Sequence, residues 1–187
     1  WNASATLPAG IVGEAKLAYS VDHYIVGPDA TFDDEITRLA PSAGVSLSWP
    51  LSRTGADGAY HLLEPKVQLA WADTSGGDVP NEDSTVVEFD EGNLFSLSRF
   101  PGVDAVEEGL HANMGLSWTR HDPSGWSVAA TFGKVYRFDD AGQFGPDSGL
   151  SGRASDWLIA VHYDLGSRLG LTTRSLVDDN LDINLSE

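Results

Sequence analysis

Apolar and polar residues alternate with a period of two along most of this chain. From position 11 to position 25 the odd positions are mostly apolar, while the even positions include Glu14, Lys16, Ser20 and Asp22. A period of two places successive side chains on opposite faces of a strand. The segment is therefore predicted to be a β-strand with one apolar face and one polar face.

The same alternation recurs in seven further segments. They cover residues 39–51, 63–71, 110–118, 126–132 and 157–163, with a weaker one at roughly 168–177 and another that starts near residue 180. No segment shows the periodicity of an amphipathic helix. The chain is therefore predicted to be all-β, with about seven or eight strands.

The connections between the predicted strands alternate between long and short. The long ones cover 27–34, 73–108 and 138–152, and the short ones cover 52–59, 122–125 and 164–167. An up-and-down transmembrane β-barrel has short turns at one end and longer loops at the other. We therefore predict an antiparallel up-and-down transmembrane β-barrel, of which residues 1–187 form part of one domain with a long ordered loop at 73–108.

Five tryptophans fall on the apolar face of their strands, each within a few residues of a strand end. They are Trp49, Trp71, Trp118, Trp126 and Trp157. Aromatic side chains in two such belts are typical of the two interfaces of a membrane. Alternation alone fits a soluble β-sandwich as well. The strands predicted at 11–25 and 39–51, of about 11 to 15 residues, exceed the usual ~5–6 and favour a tilted crossing of a bilayer.

Composition and termini exclude several classes of protein. The net charge of −17 makes nucleic acid or an anionic bilayer surface a poor partner, because both need a basic face. The chain has no cysteine, no Gly-x-Ser-x-Gly elbow, no phosphate-binding glycine motif and no histidines at metal-ligand spacing. We predict no enzyme activity, cofactor or metal. The chain starts without methionine and stops inside an alternating pattern, so we interpret it as an internal piece of a longer protein.

The segment from 79 to 109 is too long and too acidic for an ordinary turn, yet it contains Phe89, Leu94, Phe95 and Phe100. Large apolar side chains at this spacing indicate an ordered segment, since solvated linkers contain few of them. We predict that the segment folds into or over the lumen of the barrel and that these four side chains pack together. Arg99 is predicted to pair with one or more of the carboxylates of the same segment, which are Asp83, Glu88, Asp90 and Asp104.

This segment resembles the hallmark segment of the LptD family, the outer-membrane lipopolysaccharide-assembly proteins. The strand before it, from 63 to 68, is also similar to that family, and the resemblance covers about residues 47–137. Ala105 stands where an arginine commonly follows the aspartate of the motif. The residues assigned to packing in the loop and lumen are Asn81, Asp83, Ser84, Glu88, Phe89, Asp90, Asn93, Leu94, Phe95, Arg99, Phe100, Gly102, Asp104 and Glu107.

The resemblance implies a function in placing lipopolysaccharide in the outer leaflet of the outer membrane of a Gram-negative bacterium. It also implies three partners, namely lipopolysaccharide, an outer-membrane lipoprotein that plugs the lumen, and a periplasmic lipopolysaccharide-transport bridge. Two alternatives use the same strands. One is a porin-like passive channel, and the other is a soluble β-sandwich that binds carbohydrate.

Overall fold

All strands in the described part of the chain belong to one antiparallel sheet. The computed structural model describes residues 1–27, 31–166 and 169–187. The strands are β1 (Asn2–Thr6), β2 (Val12–Ile25), β3 (Glu35–Ser48), β4 (Leu51–Thr54), β5 (Tyr60–Ala72), β6 (Ser75–Gly76), β7 (Gly109–His121), β8 (Ser127–Arg137), β9 (Trp157–Asp164), β10 (Gly170–Val177) and β11 (Ile183–Ser186).

Nine of these strands follow one another through the sheet in chain order. The order is β1-β2-β3-β5-β7-β8-β9-β10-β11, with β4 paired to β5 and β6 paired to β3. This is the predicted up-and-down meander, so the all-β fold class is confirmed. The edge strands β1 and β11 do not pair with each other among the described residues, so the sheet is open, as a part of a larger barrel would be.

Some strand boundaries differ from the predicted ones. The alternation missed β1 and the two short strands β4 and β6. The predicted strand at 39–51 is interrupted at Trp49–Pro50, because a proline has no backbone N–H to donate to the ladder. The register of β3 and β4 against β5 nevertheless continues unchanged, with Ser48 opposite Lys66 and Leu51 opposite Leu63.

The predicted start of the weak strand near 168 lies outside the described residues, and β10 begins at Gly170. The middle of the predicted 27–34 loop is also outside them. Among the residues that the structure describes, the helical elements are two single 3-10 turns, Pro8–Gly10 and Pro146–Ser148. No helix in the described part of the chain is long and apolar enough to cross a membrane.

The two ends of the sheet differ in their connections. The link from β6 to β7 and the link from β8 to β9 meet at one end, which we term the long-loop end. The links from β3 to β5 and from β7 to β8 lie at the opposite end, which we term the short-turn end. The predicted asymmetry of loop length is therefore present in the structure.

The two faces of the sheet have opposite character. On one face, large apolar side chains such as Val67, Leu69, Met114 and Leu116 remain exposed. We term this the outer face. The opposite, inner face carries the polar residues, and the 73–108 loop folds back over it, as the burial of Gln68 and other inner-face side chains shows. The buried core therefore lies between the sheet and this loop.

Candidate functional site

The 73–108 loop rests on the inner face through apolar side chains. Phe89 and Leu94 are almost completely buried and pack with Val135 of β8, Leu158 of β9 and Leu176 of β10. Leu150, from the loop between β8 and β9, completes this cluster, and Phe95 is partly buried against it. Burial of these apolar side chains stabilises the loop in its position on the sheet.

Two inner-face glycines make room for the loop. A Cβ on Gly115 of β7 would lie 2.9 Å from the ring of Phe95 and 3.0 Å from Leu94. A Cβ on Gly133 of β8, which is paired with Gly115, would overlap the Leu94 side chain and lie 3.0 Å from the carbonyl oxygen of Met114. The absence of a side chain at these two positions lets Leu94 approach the sheet backbone.

A second loop joins the first at the long-loop end. The ring of Phe100 stacks on Phe144 with centroids 4.9 Å apart, and the guanidinium of Arg137 lies 4.4 Å from the centroid of Phe144. The side chain of Gln143 accepts a hydrogen bond from the backbone N–H of Glu108 at 2.9 Å and donates one to the carbonyl of Val106 at 2.9 Å. The two loops are therefore packed and hydrogen-bonded to each other.

A buried ion network connects the loop to β7 and β8. Glu107 lies between two arginines, at 2.5 Å from Arg99 Nη1 and 2.9 Å from Arg137 Nε. Arg99 also donates to Asn113 Oδ1 at 2.5 Å and to the carbonyl of Leu94 at 3.1 Å. The side chains of Arg99 and Glu107 have no exposed surface. This network is the most deeply buried set of charges in the described structure that involves the loop.

The partner of Arg99 differs from the prediction. The sequence-based hypothesis paired it with Asp83, Glu88, Asp90 or Asp104, but the structure pairs it with Glu107. The physical reason is that Glu107 lies two residues before β7 and points to the inner face near Asn113, where Arg99 also lies. The other four carboxylates are used elsewhere in the loop or are exposed.

Further polar groups of the sheet extend the network. Asn113 of β7 donates to Gln68 Oε1 of β5 at 2.7 Å, and Arg137 of β8 donates to the carbonyl of Leu150 at 2.8 Å. His111 of β7 is almost fully buried beside them. In the described part of the chain, both ring nitrogens of His111 lack a hydrogen-bond partner.

Electrostatics keep Glu107 ionised. Burial would raise the pKa of the Glu107 carboxyl, but the positive charges of Arg99 and Arg137 outweigh this effect and lower its pKa. Two arginines and one glutamate leave one excess positive charge in this buried region. Removing the single carboxylate would therefore leave two guanidinium groups without a counter-ion.

Asp104 organises the first part of the loop. Its carboxylate accepts hydrogen bonds from Ser84 Oγ at 2.5 Å and from the backbone N–H groups of Glu82 and Asp83 at 2.7 and 2.6 Å. Ser84 Oγ in turn accepts the N–H of Gly102 at 3.0 Å. Burial would raise the pKa of Asp104, but the hydrogen bonds from Ser84 and the backbone outweigh it and lower the pKa to about 2.

Asparagines close two further turns of the loop. Asn81 Oδ1 accepts the N–H of Ser84 at 3.1 Å. Asn93 and Asp90 exchange hydrogen bonds, since each side-chain oxygen accepts the backbone N–H of the other residue, at 3.1 and 2.8 Å. Asn93 Nδ2 also donates to the carbonyl of Glu88 at 2.6 Å. The side chains of Asn81, Asp90 and Asn93 thus stabilise the loop itself, whereas Glu88 contributes its backbone.

The loop is also attached to the inner face toward both edges of the sheet. On one side, Arg38 of β3 donates to the carbonyls of Asp104, at 2.6 Å, and Val103. On the other side, Arg174 of β10 pairs with Glu91 at 3.0 Å, and His162 of β9 lies 2.9 Å from the same carboxylate. Polar contacts therefore hold the loop against strands from β3 to β10.

The predicted loop residues thus fall into groups in space. Phe89, Leu94 and Phe95 pack against the sheet, whereas Phe100, which was predicted to pack with them, stacks on Phe144 of the second loop. Arg99 and Glu107 form the buried pair, and the hydrogen bonds of the Asp104 carboxylate hold Glu82, Asp83 and Ser84 together. Sequence reasoning missed the sheet residues that receive the loop. They are Arg38, Gln68, Asn113, Arg137, His162 and Arg174. All lie on the polar parity of their strands, which was the only sequence signal that could have found them.

The five tryptophans lie on the outer face or at its rim, with various contacts. The Trp157 ring stacks on Phe132 with centroids 4.6 Å apart, and Trp118 stacks on His61 at 5.9 Å. The indole N–H of Trp49 donates to the carbonyl of Ala9 at 2.9 Å. Trp71 and Trp126 complete the set. Their placement at a membrane interface remains a prediction.

No group of three or more His, Cys, Asp or Glu side chains in residues 1–27, 31–166 and 169–187 is arranged to hold a metal ion. The arrangement provides a layer that is attached to the inner face of the sheet by apolar contacts, ion pairs and hydrogen bonds.

Comparison with known proteins gives two findings. The family model described as LptD, LPS transport system D, matches residues 1–184. The LPS-assembly protein LptD of Idiomarina loihiensis (strain ATCC BAA-735 / DSM 15497 / L2-TR) is 27% identical over 134 residues, which cover 68% of this chain and 18% of that relative. The match therefore spans less than a fifth of the relative's length. Because the family model covers nearly the whole chain, this protein belongs to the LptD family of the LPS transport system.

Proposed function

We propose that this chain is a section of the wall of an outer-membrane β-barrel that transports lipopolysaccharide to the outer leaflet. Family membership and the open antiparallel sheet support this proposal. The apolar outer face suits contact with lipid tails, and the polar inner face suits a wet lumen. In the full-length protein, neighbouring strands would continue the sheet from β1 and β11.

The observation that carries the proposal is the attachment of the 73–108 loop to the inner face. A barrel that conducts a large amphipathic lipid needs a lumen of defined shape, and a loop held by a fully buried ion pair can supply it. The Arg99–Glu107–Arg137 network holds this loop at a fixed position on β7 and β8. The loop would therefore act as an inner layer that narrows and shapes the lumen.

The proposed partners are lipopolysaccharide, an outer-membrane lipoprotein that plugs the lumen, and a periplasmic lipopolysaccharide-transport bridge. The proposed location is the outer membrane of a Gram-negative bacterium, with the long-loop end outside the cell. Transport of this kind needs no chemical step, so we propose that the chain is not an enzyme. Residues 1–187 would then form part of one barrel domain.

The two alternative functions are less well supported. The soluble β-sandwich is wrong as a fold, because the described strands form one sheet and the 73–108 loop, not a second sheet, covers its inner face. A porin-like channel needs a lumen open to small solutes with charged side chains at a constriction. In this wall the central inner-face charges are buried beneath the loop, which favours the lipopolysaccharide-transport function.

The test uses the full-length protein in cells depleted of the native copy. Glu107→Gln should loosen the loop and reduce lipopolysaccharide at the cell surface, measured by labelling intact cells. Asp139→Asn is the matched control, because Asp139 is an exposed loop carboxylate whose ion pair with Arg153 is also exposed. Protease sensitivity of the 73–108 loop and the heat-modifiable mobility of the barrel would be measured in parallel.

The outcomes separate the functions. A folded Glu107→Gln barrel with a protease-sensitive loop and reduced surface lipopolysaccharide supports the proposal. Normal surface lipopolysaccharide together with increased uptake of small solutes would instead identify a passive channel.

A further inference from the structure

A row of basic side chains crosses the outer face at the short-turn end. Arg53 of β4 is opposite His61 of β5, and His61 is opposite Arg120 of β7. Residues opposite each other in an antiparallel sheet share a face. The next row toward the long-loop end consists of Leu51, Leu63 and Trp118, by the same register. The basic row is therefore directly adjacent to the apolar part of the outer face.

Two members of this row have no polar partner within the described ranges. Arg120 pairs with Asp57 at 3.0 Å and Asp122 at 2.9 Å, and its guanidinium lies 5.0 Å from the centroid of Trp126. Arg53 is exposed and forms no hydrogen bond or ion pair with any described residue. The ring of His61 stacks on Trp118, but its nitrogens have no hydrogen bond there. In a chain with 28 acidic and 11 basic residues, an uncompensated arginine is notable.

These side chains line a groove on the outer face. Its volume is about 500 Å³, and its lining includes Leu51, Arg53, Gly55, His61, Leu63 and Trp118. One part of the lining is cationic and hydrogen-bonding, and the other part is apolar. A groove with this division fits an amphipathic ligand whose anionic group lies toward the rim.

We propose that this groove binds the phosphodiester headgroup of an anionic phospholipid in the membrane leaflet at the short-turn end. The proposal rests on the proposed function, since it requires the outer face to meet lipid. The guanidinium of Arg53 can donate to both non-bridging oxygens of a phosphodiester at once, and a ring N–H of His61 can donate to one of the same two oxygens. The acyl chains would lie along Leu51 and Leu63.

The neighbouring aromatic side chains support a lipid as the ligand. Trp118 lies in the groove itself, and Trp49 and Trp126 lie near the same end of the sheet. Tryptophan is enriched at the level of lipid headgroups, and basic pockets at that level bind anionic headgroups. A soluble anion would not use the apolar half of the groove.

The test measures lipid binding by the full-length protein with native mass spectrometry. Purified protein would be titrated with phosphatidylglycerol and, separately, with phosphatidylcholine of the same acyl chains. The wild-type protein should prefer phosphatidylglycerol, and Arg53→Gln combined with His61→Gln should weaken that binding about tenfold, the size expected for losing a charge-assisted hydrogen bond. Arg153→Gln, which removes an exposed arginine at the long-loop end, should leave it unchanged.

Equal binding of the two lipids by the wild-type protein would overturn the proposal. So would equal weakening by Arg153→Gln, which would indicate a general effect of charge. Displacement of phosphatidylglycerol by millimolar inorganic phosphate would show that the groove recognises a free anion instead. Failure of the proposed function is a separate result, because it is read from surface lipopolysaccharide in Glu107→Gln cells and not from lipid selectivity.

Discussion

At the scale of single residues, Glu107 and Gly133 show two ways in which the loop depends on the sheet. Glu107 neutralises one of two arginines in a region without solvent. Gly133 leaves space that the Leu94 side chain fills. Both effects are local, and each can be tested by removing or adding a few atoms.

Glu107→Gln is expected to destabilise the protein by about 3–5 kcal/mol, the usual cost of breaking a buried ion pair from one side. The free energy of unfolding would be measured by urea titration of the full-length protein in lipid vesicles. Asp139→Asn is expected to change it by less than about 1 kcal/mol, since exposed ion pairs contribute little. Equal effects of the two substitutions would contradict the central role of Glu107.

Gly133→Ala is expected to cost about 1–3 kcal/mol, because the added methyl group overlaps Leu94 and approaches the Met114 carbonyl. Gly170→Ala in β10 is the control, since no atom outside its chain neighbours lies within 4 Å of a Cβ built at that position. The same urea titration would compare the two. If Gly133→Ala is as stable as the control, Leu94 does not need its close approach to the sheet.

At the scale of elements, the 73–108 loop behaves as a part of the fold and not as a linker. It has its own hydrogen-bonded turns around Asp104 and Asn93, and on the inner face it contacts strands from β3 to β10. Its first turn depends on one carboxylate. That dependence makes the order of the loop sensitive to acid.

The pKa of Asp104 is about 2 in the folded protein, below the usual value of about 3.9. A lowered pKa means that Asp104 contributes stability above its unfolded value and that this contribution is lost as the pH falls from about 4 through 2. Protection of the 82–84 amides from hydrogen exchange should therefore decrease over that range. Asp104→Asn should reduce this protection at neutral pH and remove most of its change between pH 4 and pH 2.

The control for this experiment is Asp147→Asn, which changes an exposed carboxylate of the other long loop. Its pH profile should match that of the wild-type protein. A wild-type profile in Asp104→Asn would show that another group controls the acid response.

At the scale of the whole molecule, the open sheet has an apolar outer face that no described element covers and a polar inner face that the loop covers. This division is what the proposed barrel wall requires. The proposal predicts that the two surfaces tolerate charge differently.

Leu116→Arg, on the outer face of β7, is expected to destabilise the inserted barrel by about 2–4 kcal/mol if that position lies near the middle of the bilayer. Val86→Arg is the control, because Val86 is an exposed side chain of the 73–108 loop. Its effect should be within about 0.5 kcal/mol. Unfolding from lipid vesicles would measure both. Equal tolerance of arginine at the two positions would contradict the membrane placement of the outer face.

Much of this architecture could be predicted from the sequence because it depends on residues that are close along the chain. Period-two alternation specifies strands and their two faces, as it did for β2 and β7. The spacing of Phe89, Leu94 and Phe95 indicates an ordered loop for the same reason, since each lies within a few residues of the next. The short edge strand β1 was not predicted, because its five residues are too few to show a clear alternation of apolar and polar positions.

Only the tertiary structure decided which groups meet. The partnership of Arg99 with Glu107 and Arg137 depends on the register of β7 against β8 and on the path of the loop over them. The sequence-based hypothesis had instead paired Arg99 with one or more of four other carboxylates of the same segment. Alternation along a strand determines the face on which a residue lies, but contacts across the sheet depend on pairing between distant segments. The position of the 73–108 loop on the inner face is therefore determined by the tertiary structure and not by the local sequence.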